Sequence, residues 1–406
     1  MLRRTAPCLK YIHPAPSLRA FRSINEESLD RYCPGGYHPV RISEAFDEGR
    51  FRISNKLGYG PYSTVWLAYD KKTTRNVALK ICTADPPRGG SFERGILDGI
   101  RTQITSQPGS HRILQLSHSF KHKGIHGNHL CLVFDLMGPD LEDYRNFFPG
   151  RRLPVALVKR ITRQLLFGLW SLHSVCKIIH ADIKPQNILT ETPETRAVAN
   201  SVAGYELQPI DPLFDMPDEF YIASSKVYTL DADMTRPARL AVRLADFGHA
   251  SWFDRKLPGN TQGQRIQAPE VVLDAKWDHK IDIWQIGLLV WDLIEGQPLF
   301  NGYPPNTTKY NPDAHLAQMT STLGPMPTRL IEGAAPDKRQ LFSEDGNMVD
   351  DFNFPRTSLE ERSQVTGMPD IEKMRYFDFL KRTLSLDPNS RPEAETLVDI
   401  PWLSSI

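Results

Sequence analysis

Cysteine is scarce in this chain and is never closely spaced. Five cysteines occur among 406 residues, and no two of them form a C-x-x-C pair. An odd number of scattered cysteines predicts neither a disulfide framework nor a cysteine-ligated zinc site, and it fits a reducing compartment. The five are Cys8, Cys33, Cys82, Cys131 and Cys176.

Long apolar runs and an excess of one charge are also missing. The longest apolar stretch, Ile281–Ile294, has 14 residues and contains two aspartates, which predicts a buried helix and no membrane span. The formal net charge is +1, so nothing global indicates binding to nucleic acid or to a membrane surface. We therefore expect neither a direct nucleic-acid partner nor a membrane partner, and we expect a monomer.

The first 25 residues leave two interpretations open. Five basic residues precede the first acid, Glu26, as in a mitochondrial transit peptide. Pro14 and Pro16 would interrupt an amphipathic helix there, which favours a disordered basic tail. The expected localisation is cytoplasmic or nuclear for a tail and mitochondrial for a transit peptide.

The chain changes character near Gly138. From Phe51 to about Phe134, stretches such as STVWLAYD, NVALKIC and HLCLVFDL are rich in β-branched and aromatic residues and predict strands. After Gly138, LPVALVKRITRQLLFGLWSLHSVC carries apolar residues at three- and four-residue steps, which predicts an amphipathic helix. A strand-rich half followed by a helix-rich half predicts an α+β protein with two lobes.

A segment between Thr190 and Arg239 interrupts the helix-rich half. It holds five prolines, and its nine acidic residues against four basic ones give a charge of −5. Because it shows no sustained periodicity, we expect a surface insertion that joins two strands.

The stretch KLGYGPYSTVWL follows the pattern G-x-G-x-x-G-x-V. Gly58, Gly60 and Val65 are in place, and Ser63 stands at the third glycine. Glycines let a backbone approach phosphates and offer N–H groups to them. Taken alone, the stretch is as consistent with an ordinary hairpin turn.

The stretch VALK ends at Lys80, a candidate to pair with the α- and β-phosphates of a nucleotide. Its candidate partner is Glu93 in SFERGILDGI, because this acid lies near the apolar stripe of a predicted helix. A solvated lysine at a strand end is the alternative interpretation.

The stretch IIHADIKPQNIL nearly matches the pattern H-R-D-L-x-x-x-N, with Ala181 in place of the arginine. Asp182 is the candidate base for a substrate hydroxyl, and Lys184 would offset the charge of a transferring phosphoryl group. Asn187, and Asp246 in LADFGHA, are candidate Mg²⁺ ligands. One amide and one carboxylate suit an ion that prefers oxygen ligands and retains waters.

The stretch IQAPEVVL adds A-P-E at residues 268–270. In this order the elements resemble a eukaryotic protein kinase, from about Tyr32 to Leu403. RYCPGGYHPVRI, KLGYGPYSTVWLAYD, HADIKPQNIL and LFSEDGNM resemble the SR-protein-specific (SRPK-like) serine/threonine kinases, especially their diverged fungal members. The insertion after the catalytic loop is similar to that branch as well.

This resemblance implies a two-lobed protein kinase fold, with ATP and Mg²⁺ as cofactors and protein hydroxyls as substrates. It implies a β-rich N-lobe over 51–138 and an α-helical C-lobe over 139–406, after an extension over 1–50 and with the insertion at 190–239. It also implies that Asp282 braces the catalytic loop and that Glu270 pairs with Arg391. The implied ATP-binding positions are Leu57, Gly58, Tyr59, Gly60, Ser63, Val65, Ala78, Lys80, Glu93, Asp135, Met137 and Leu189.

The missing arginine bears on regulation. In kinases that have it, this arginine can bind a phosphorylated activation loop through charge-assisted hydrogen bonds, and Ala181 has no donor. Hydroxyls between D-F-G and A-P-E are few, at Ser251 and Thr261. If one of them were phosphorylated, another basic residue, such as Arg255 or Arg265, would have to bind the phosphate. We expect an enzyme that is active without activation-loop phosphorylation.

Two further departures leave the substrate open. Gly263 stands where serine/threonine kinases usually place a threonine near the catalytic aspartate. Asp313 is the single acid beside the helix predicted over Ala314–Leu323, where the resembling branch docks Arg/Ser repeats. Basic or Arg/Ser-rich proteins remain candidate substrates.

Two functional classes follow. The first is an active serine/threonine kinase, favoured because its four polar residues are present. The second is a pseudokinase that acts as a nucleotide-binding or scaffold protein, which loss of one of the four would favour. The four are Lys80, Asp182, Asn187 and Asp246.

Overall fold

The computed structural model describes most of the chain, and its residues fall into two compact units. The first unit takes in the described residues up to Gly95 together with Gln115–Leu136. The second takes in the described residues of Ile96–Leu114, those from Met137 to Glu191, and those from Arg239 onward. The basic segment 1–25 and its predicted targeting role lie outside the described residues. Those are 26–85, 90–104, 109–191, 239–254 and 263–404.

A six-stranded antiparallel sheet forms most of the first unit. Its strands are β1 (Ala45–Phe46), β2 (Phe51–Gly60), β3 (Ser63–Asp70), β4 (Arg75–Cys82), β5 (Leu116–Gly124) and β6 (Gly127–Asp135). Their order across the sheet is β1-β2-β3-β4-β6-β5. The three strands predicted from apolar and aromatic stretches are confirmed as β3, β4 and β6.

The two faces of this sheet differ in burial. Trp66 and Leu79 are opposite one another on β3 and β4, and both belong to the hydrophobic core of the unit. Because side chains alternate along a strand, the neighbouring pair Val65 and Lys80 points to the other face, together with Ala78. These three side chains are only partly buried, so this face is open to a ligand.

The segment before β2 is fastened to the sheet by a buried ionic cluster. Lys56 is fully buried, and its Nζ lies 2.9 Å from Oε2 of Glu26 and 2.5 Å from Oε2 of Glu27. A buried ammonium group is costly unless it is paired. The cluster therefore fastens residues 26 and 27 to β2.

Helices make up most of the second unit. The predicted helices over Leu153–Cys176 and Ile281–Ile294 are confirmed, although the first one ends in a π-helical turn, Ser171–Cys176. Helix α1 (Ser91–Gln103) begins in the first unit. The other α-helices of the described residues are α2 (Leu141–Tyr144), α3 (Val155–Trp170), α4 (Pro269–Val272), α5 (Lys280–Glu295), α6 (Pro312–Leu323), α7 (Thr328–Glu332), α8 (Pro336–Arg339), α9 (Leu359–Arg362), α10 (Asp370–Thr383), α11 (Ala394–Val398) and α12 (Pro401–Ser404).

Helix α5 is apolar nearly all round, and nearly all of its residues are buried. A helix of this kind belongs in the core of a protein, as its sequence predicted. Among the described residues, no helix combines the length and the apolar character needed to cross a bilayer.

Two short strand pairs complete the second unit. Strand β7 (Ile178–Ile179) pairs with β10 (Ser251–Trp252), and β8 (Ile188–Glu191) pairs with β9 (Ala241–Leu244). Since β8 and β9 are antiparallel and adjacent, the segment between them joins two paired strands, as predicted. Thr190 and Glu191 belong to β8, and residues 192–238 of the predicted insertion lie outside the described residues.

Candidate active site

The glycine-rich stretch forms the hairpin between β2 and β3. Gly60 lies opposite Ser63 at its end, and Gly58 lies opposite Val65. A Cβ atom at Gly58 would meet no other atom within 4 Å, so the backbone there is open to an approaching group. This openness is what a phosphate-binding hairpin needs.

The segment before β2 holds the tip of this hairpin. The Tyr37 hydroxyl donates to the Gly60 carbonyl at 2.7 Å, and Nη2 of Arg31 donates to the Pro61 carbonyl at 2.7 Å. The Arg31 guanidinium also lies 5.1 Å from the centre of the Tyr37 ring. Motif spacing missed both contacts, because these residues lie outside the glycine-rich pattern.

Lys80 and Glu93 form the predicted ion pair. Nζ of Lys80 lies 2.8 Å from both carboxylate oxygens of Glu93 in the first turn of α1. The lysine side chain is 16% exposed, so the ammonium group is oriented by its partner and still reachable. Val65 and Ala78 on the same sheet face, and Leu57 nearby on β2, provide apolar surface beside it.

A buried carboxylate on α5 braces the loop that follows β7. Asp282 accepts hydrogen bonds from the backbone N–H groups of His180 at 2.9 Å and Ala181 at 2.8 Å. Burial opposes its ionisation, but the hydrogen bond from His173 and the charge around it hold the pKa of Asp282 below its ordinary value. The charged form therefore persists as a fixed acceptor, as the resemblance implied.

The loop backbone is strained at the position of the missing arginine. Ala181 is fully buried and has a φ of 66°, which a non-glycine residue adopts at a cost of about 1–3 kcal/mol. Its amide donates to Asp282, and its carbonyl accepts from Nε2 of Gln285 at 2.9 Å. Gln285 also accepts from the Ile183 amide at 2.8 Å. The motifs gave no sign of Gln285, although its place three residues after Asp282 puts it on the same side of α5.

Asp182 lies in this loop with its two carboxylate oxygens in different environments. Oδ2 accepts from Nζ of Lys184 at 2.7 Å and from Nδ2 of Asn187 at 2.8 Å. Oδ1 has no hydrogen-bond partner among the described residues. A Cβ atom at Gly263 would lie 3.6 Å from Oδ1, an ordinary van der Waals distance, so the Gly263 backbone lies beside this buried oxygen.

Asn187 is positioned to offer an oxygen. Its Nδ2 donates to both the backbone carbonyl and Oδ2 of Asp182, each at 2.8 Å. The amide oxygen therefore faces away from Asp182 and is the atom that a hard metal ion would take.

Asp246 and Phe247 are neighbours in sequence and differ in burial. Asp246 is exposed and has a φ of 62°, whereas Phe247 is buried with its ring centre 4.9 Å from that of His180. Burial lowers the pKa of His180, which keeps the ring neutral, and its Nε2 lies 3.0 Å from the Ala245 carbonyl. The rings of His180 and Phe247 therefore pack against each other, edge to face.

The other predicted nucleotide-binding positions lie on strands β2, β6 and β8 or just after β6. Asp135 is exposed at the end of β6, opposite Val77, and Met137 is buried at the start of the second unit. Leu189 is partly buried in β8, opposite Arg243. Tyr59 is 38% exposed on the glycine-rich hairpin. Their roles toward ATP stay predictions.

The segment after Phe247 contains buried and paired residues. Ser251 is 1% exposed in β10, and the Arg265 guanidinium donates to the Tyr303 hydroxyl and lies 5.3 Å from the centre of its ring. Thr261 and Arg255 lie outside the described residues.

Glu270 and Arg391 form the implied ion pair, and both side chains are fully buried. The two guanidinium nitrogens Nη1 and Nη2 of Arg391 donate to the two carboxylate oxygens of Glu270 at 2.6 and 2.9 Å. This pair joins the start of α4 to the rest of the unit.

The predicted helix at Ala314 is confirmed as α6, which begins two residues earlier, at Pro312. Oδ1 of Asp313 lies 2.8 Å from Nζ of Lys338. The negative charge of Asp313 is therefore offset by the positive charge of Lys338 in the same unit.

Comparison with known proteins agrees with these features. The protein kinase domain family matches residues 51–403. The chain is 31% identical to the serine/threonine-protein kinase SRPK of Physarum polycephalum, over 94% of this chain and 92% of that one. It is 38% identical to the serine/threonine-protein kinase SKY1 of Saccharomyces cerevisiae, over 93% and 78%. It is 42% identical to the human SRSF protein kinase 3 over 41% of this chain and 30% of that one. The chain thus belongs to the protein kinase family and, within it, to the SRPK-type serine/threonine kinases.

Proposed function

We propose that the chain is an active enzyme that transfers the γ-phosphoryl group of ATP to serine or threonine hydroxyls of proteins. The observation that carries this is the geometry of Asp182. Lys184 and Asn187 hold one carboxylate oxygen, and the other has no hydrogen-bond partner among the described residues. That second oxygen would accept the proton of the substrate hydroxyl while the hydroxyl oxygen attacks the γ-phosphorus.

Kinases of this family use ATP with a divalent metal, and we propose that the metal here is Mg²⁺. The Asn187 amide oxygen and the Asp246 carboxylate are its candidate ligands, and both are hard oxygen donors. The bound ion offsets the charge of the phosphates. Lys80, held by Glu93, is the candidate partner of the α- and β-phosphates. Lys184 is the candidate that offsets the charge of the transferring phosphoryl group.

A pseudokinase is the alternative, and a phosphotransfer assay separates the two. The full chain is incubated with Mg²⁺, labelled ATP and a basic protein substrate, and phosphoserine and phosphothreonine are quantified. We expect transfer well above that of an Asp182→Asn variant. Equal, background-level transfer by both proteins, with ATP still bound, would favour the pseudokinase.

We also propose that activity does not depend on activation-loop phosphorylation. Ala181 offers no side-chain donor for a phosphate, and Ser251 is buried and so is not accessible to a modifying enzyme. Expressed in a host without such kinases, the protein should show the same kcat before and after phosphatase treatment. Mass spectrometry would confirm that Ser251 and Thr261 are unmodified. A protein that stayed silent until Thr261 was phosphorylated would refute the proposal.

For the substrate we propose a basic protein, recruited by the acidic segment Thr190–Arg239. One relative's name, SRSF protein kinase 3, names a substrate class for that protein. Here α6 carries an acid that is already paired with Lys338, whereas the segment has a charge of −5. Because salt screens charge pairs, KM for an Arg/Ser-rich peptide should rise with ionic strength. A Gly/Ser linker in place of residues 192–238 should remove that dependence, and a KM insensitive to salt in both proteins would contradict the proposal.

A further inference from the structure

We propose that His38, Glu44 and His122 form a binding site for one divalent transition-metal ion of the zinc type. All three belong to the first unit: His38 and Glu44 lie in the segment before β1, and His122 lies on β5. One ligand atom from each lies within 4.8 Å of the others. Imidazole nitrogen and carboxylate oxygen are ligands that Zn²⁺ takes.

The spacing of His38 and Glu44 fits two ligands better than a hydrogen bond. Nε2 of His38 is 3.7 Å from Oε1 of Glu44, which is too far for a hydrogen bond. Two ligands bound to one tetrahedral ion at its usual bond lengths lie roughly 3.3–3.4 Å apart. The other oxygen, Oε2, accepts from the Arg41 amide at 2.8 Å, which orients the carboxylate.

The His38 ring is buried with its polar atoms unsatisfied. It is 6% exposed, and neither ring nitrogen has a hydrogen-bond partner among the described residues. A buried polar group left in this state destabilises the fold. A coordinated ion would remove that cost. The ring centres of His38 and His122 lie 4.6 Å apart, so a second imidazole is at hand.

The surroundings of the His38 ring leave room for it and for an ion. A Cβ atom at Gly124 would lie 2.4 Å from its Nδ1, so only glycine lets the β5 backbone approach the ring this closely. A surface cavity of about 590 Å³ is lined by His38, Arg41 and Glu44, among others. This cavity provides a path for an ion from solvent.

The ion would join the two edges of the sheet. Strands β1 and β5 are at opposite ends of the strand order, yet the rings of Phe46 and His122 have centres 4.5 Å apart. The sheet therefore curls until its edges meet. His38 and Glu44 precede residue 51, where the match to the kinase domain begins, and His122 lies inside it. The role we infer is structural: the ion fastens the N-terminal segment to the domain.

The test is metal binding by the full chain after removal of metals with a chelator. Zn²⁺ is titrated calorimetrically in excess Mg²⁺, which occupies sites that prefer oxygen, and Co²⁺ is used as a spectroscopic substitute. We expect one equivalent of Zn²⁺ to bind and to raise the melting temperature, and Co²⁺ to give the visible absorption of a tetrahedral site. Glu44→Gln and His122→Asn should each weaken binding by more than about tenfold.

His118→Asn is the matched control, because His118 lies on the same strand and bonds Asp47 at 3.0 Å, away from the three ligands. It should bind Zn²⁺ like the parent. Glu44 is 27% exposed and its replacement is isosteric, so Glu44→Gln remains informative if His122→Asn unfolds. The proposal is overturned if the parent binds no Zn²⁺ saturably, if Glu44→Gln binds as the parent does, or if His118→Asn loses binding to the same degree.

Discussion

Replacing Asp182 by asparagine is expected to lower kcat by about 10²–10⁴-fold, the usual contribution of a general base. Lys184 and Asn187 both donate to Oδ2, so the amide oxygen of the new side chain would take that place. Its NH₂ group would then lie where Oδ1 is now. A donor would stand where the substrate hydroxyl needs an acceptor, with the shape of the site unchanged.

The measurement is the steady-state rate of phosphate transfer at saturating ATP and peptide. Asp378→Asn is the matched control, because Asp378 is exposed and pairs with Arg382 at 2.8 Å on α10. It should retain the parent rate, and both variants should melt near the parent temperature. If Asp182→Asn transferred phosphate at the parent rate, another residue would have to be the base.

The companion variant Asp246→Asn distinguishes loss of a metal ligand from loss of the general base. Loss of this carboxylate should lower kcat and raise the Mg²⁺ concentration needed for half-maximal rate, because it removes a charged ligand. Asp182→Asn should change kcat with a smaller effect on the Mg²⁺ requirement. The reverse pattern would exchange the two assigned roles.

The double replacement Glu26→Gln and Glu27→Gln is expected to lower the free energy of unfolding of the first unit by about 3–5 kcal/mol. Lys56 is fully buried, and the two carboxylates are only 6% and 1% exposed. Without their charge the ammonium group would stay buried and would lose both of these carboxylate partners. The first unit should therefore unfold at lower urea concentration, measured by hydrogen exchange of the β2 and β3 amides.

A third substitution tests the cause. Adding Lys56→Met to the double variant removes the buried charge and keeps a side chain of similar length beside Trp66. Replacing a whole buried ion cluster by apolar groups is often neutral, so most of the lost stability should return. Glu48→Gln, an exposed acid of the same segment, should have little effect. A triple variant as unstable as the double one would show that the loss does not come from the buried charge.

Sequence patterns were sufficient where structure depends on near neighbours. Alternation along β3 and β4 and the apolar periodicity of α3 follow from local side-chain direction, so the elements could be predicted closely. Asp182, Lys184 and Asn187 lie within one short loop, and their contacts follow from the motif. The Lys80–Glu93 pair spans 13 residues and was also found, because a strand and the next helix place it.

Contacts between distant parts of the chain were found only where a family motif named them. The family resemblance indicated the roles of Asp282 and Arg391. Their partners, Ala181 and Glu270, lie 101 and 121 residues away along the chain. Gln285, Tyr37 and Arg31 belong to no motif. Periodicity says that a side chain faces inward, and it does not say which group it meets there.

The sequence by itself therefore determined the family, the order of elements and the residues of the motifs. Only the tertiary structure decided which buried polar groups share an environment: Lys56 with Glu26 and Glu27, and His38 with Glu44 and His122. The physical reason is that a buried charge or ring nitrogen requires a partner. Which group becomes that partner depends on how the sheet curls. That curl results from the packing of the whole unit, and no local stretch of sequence encodes it.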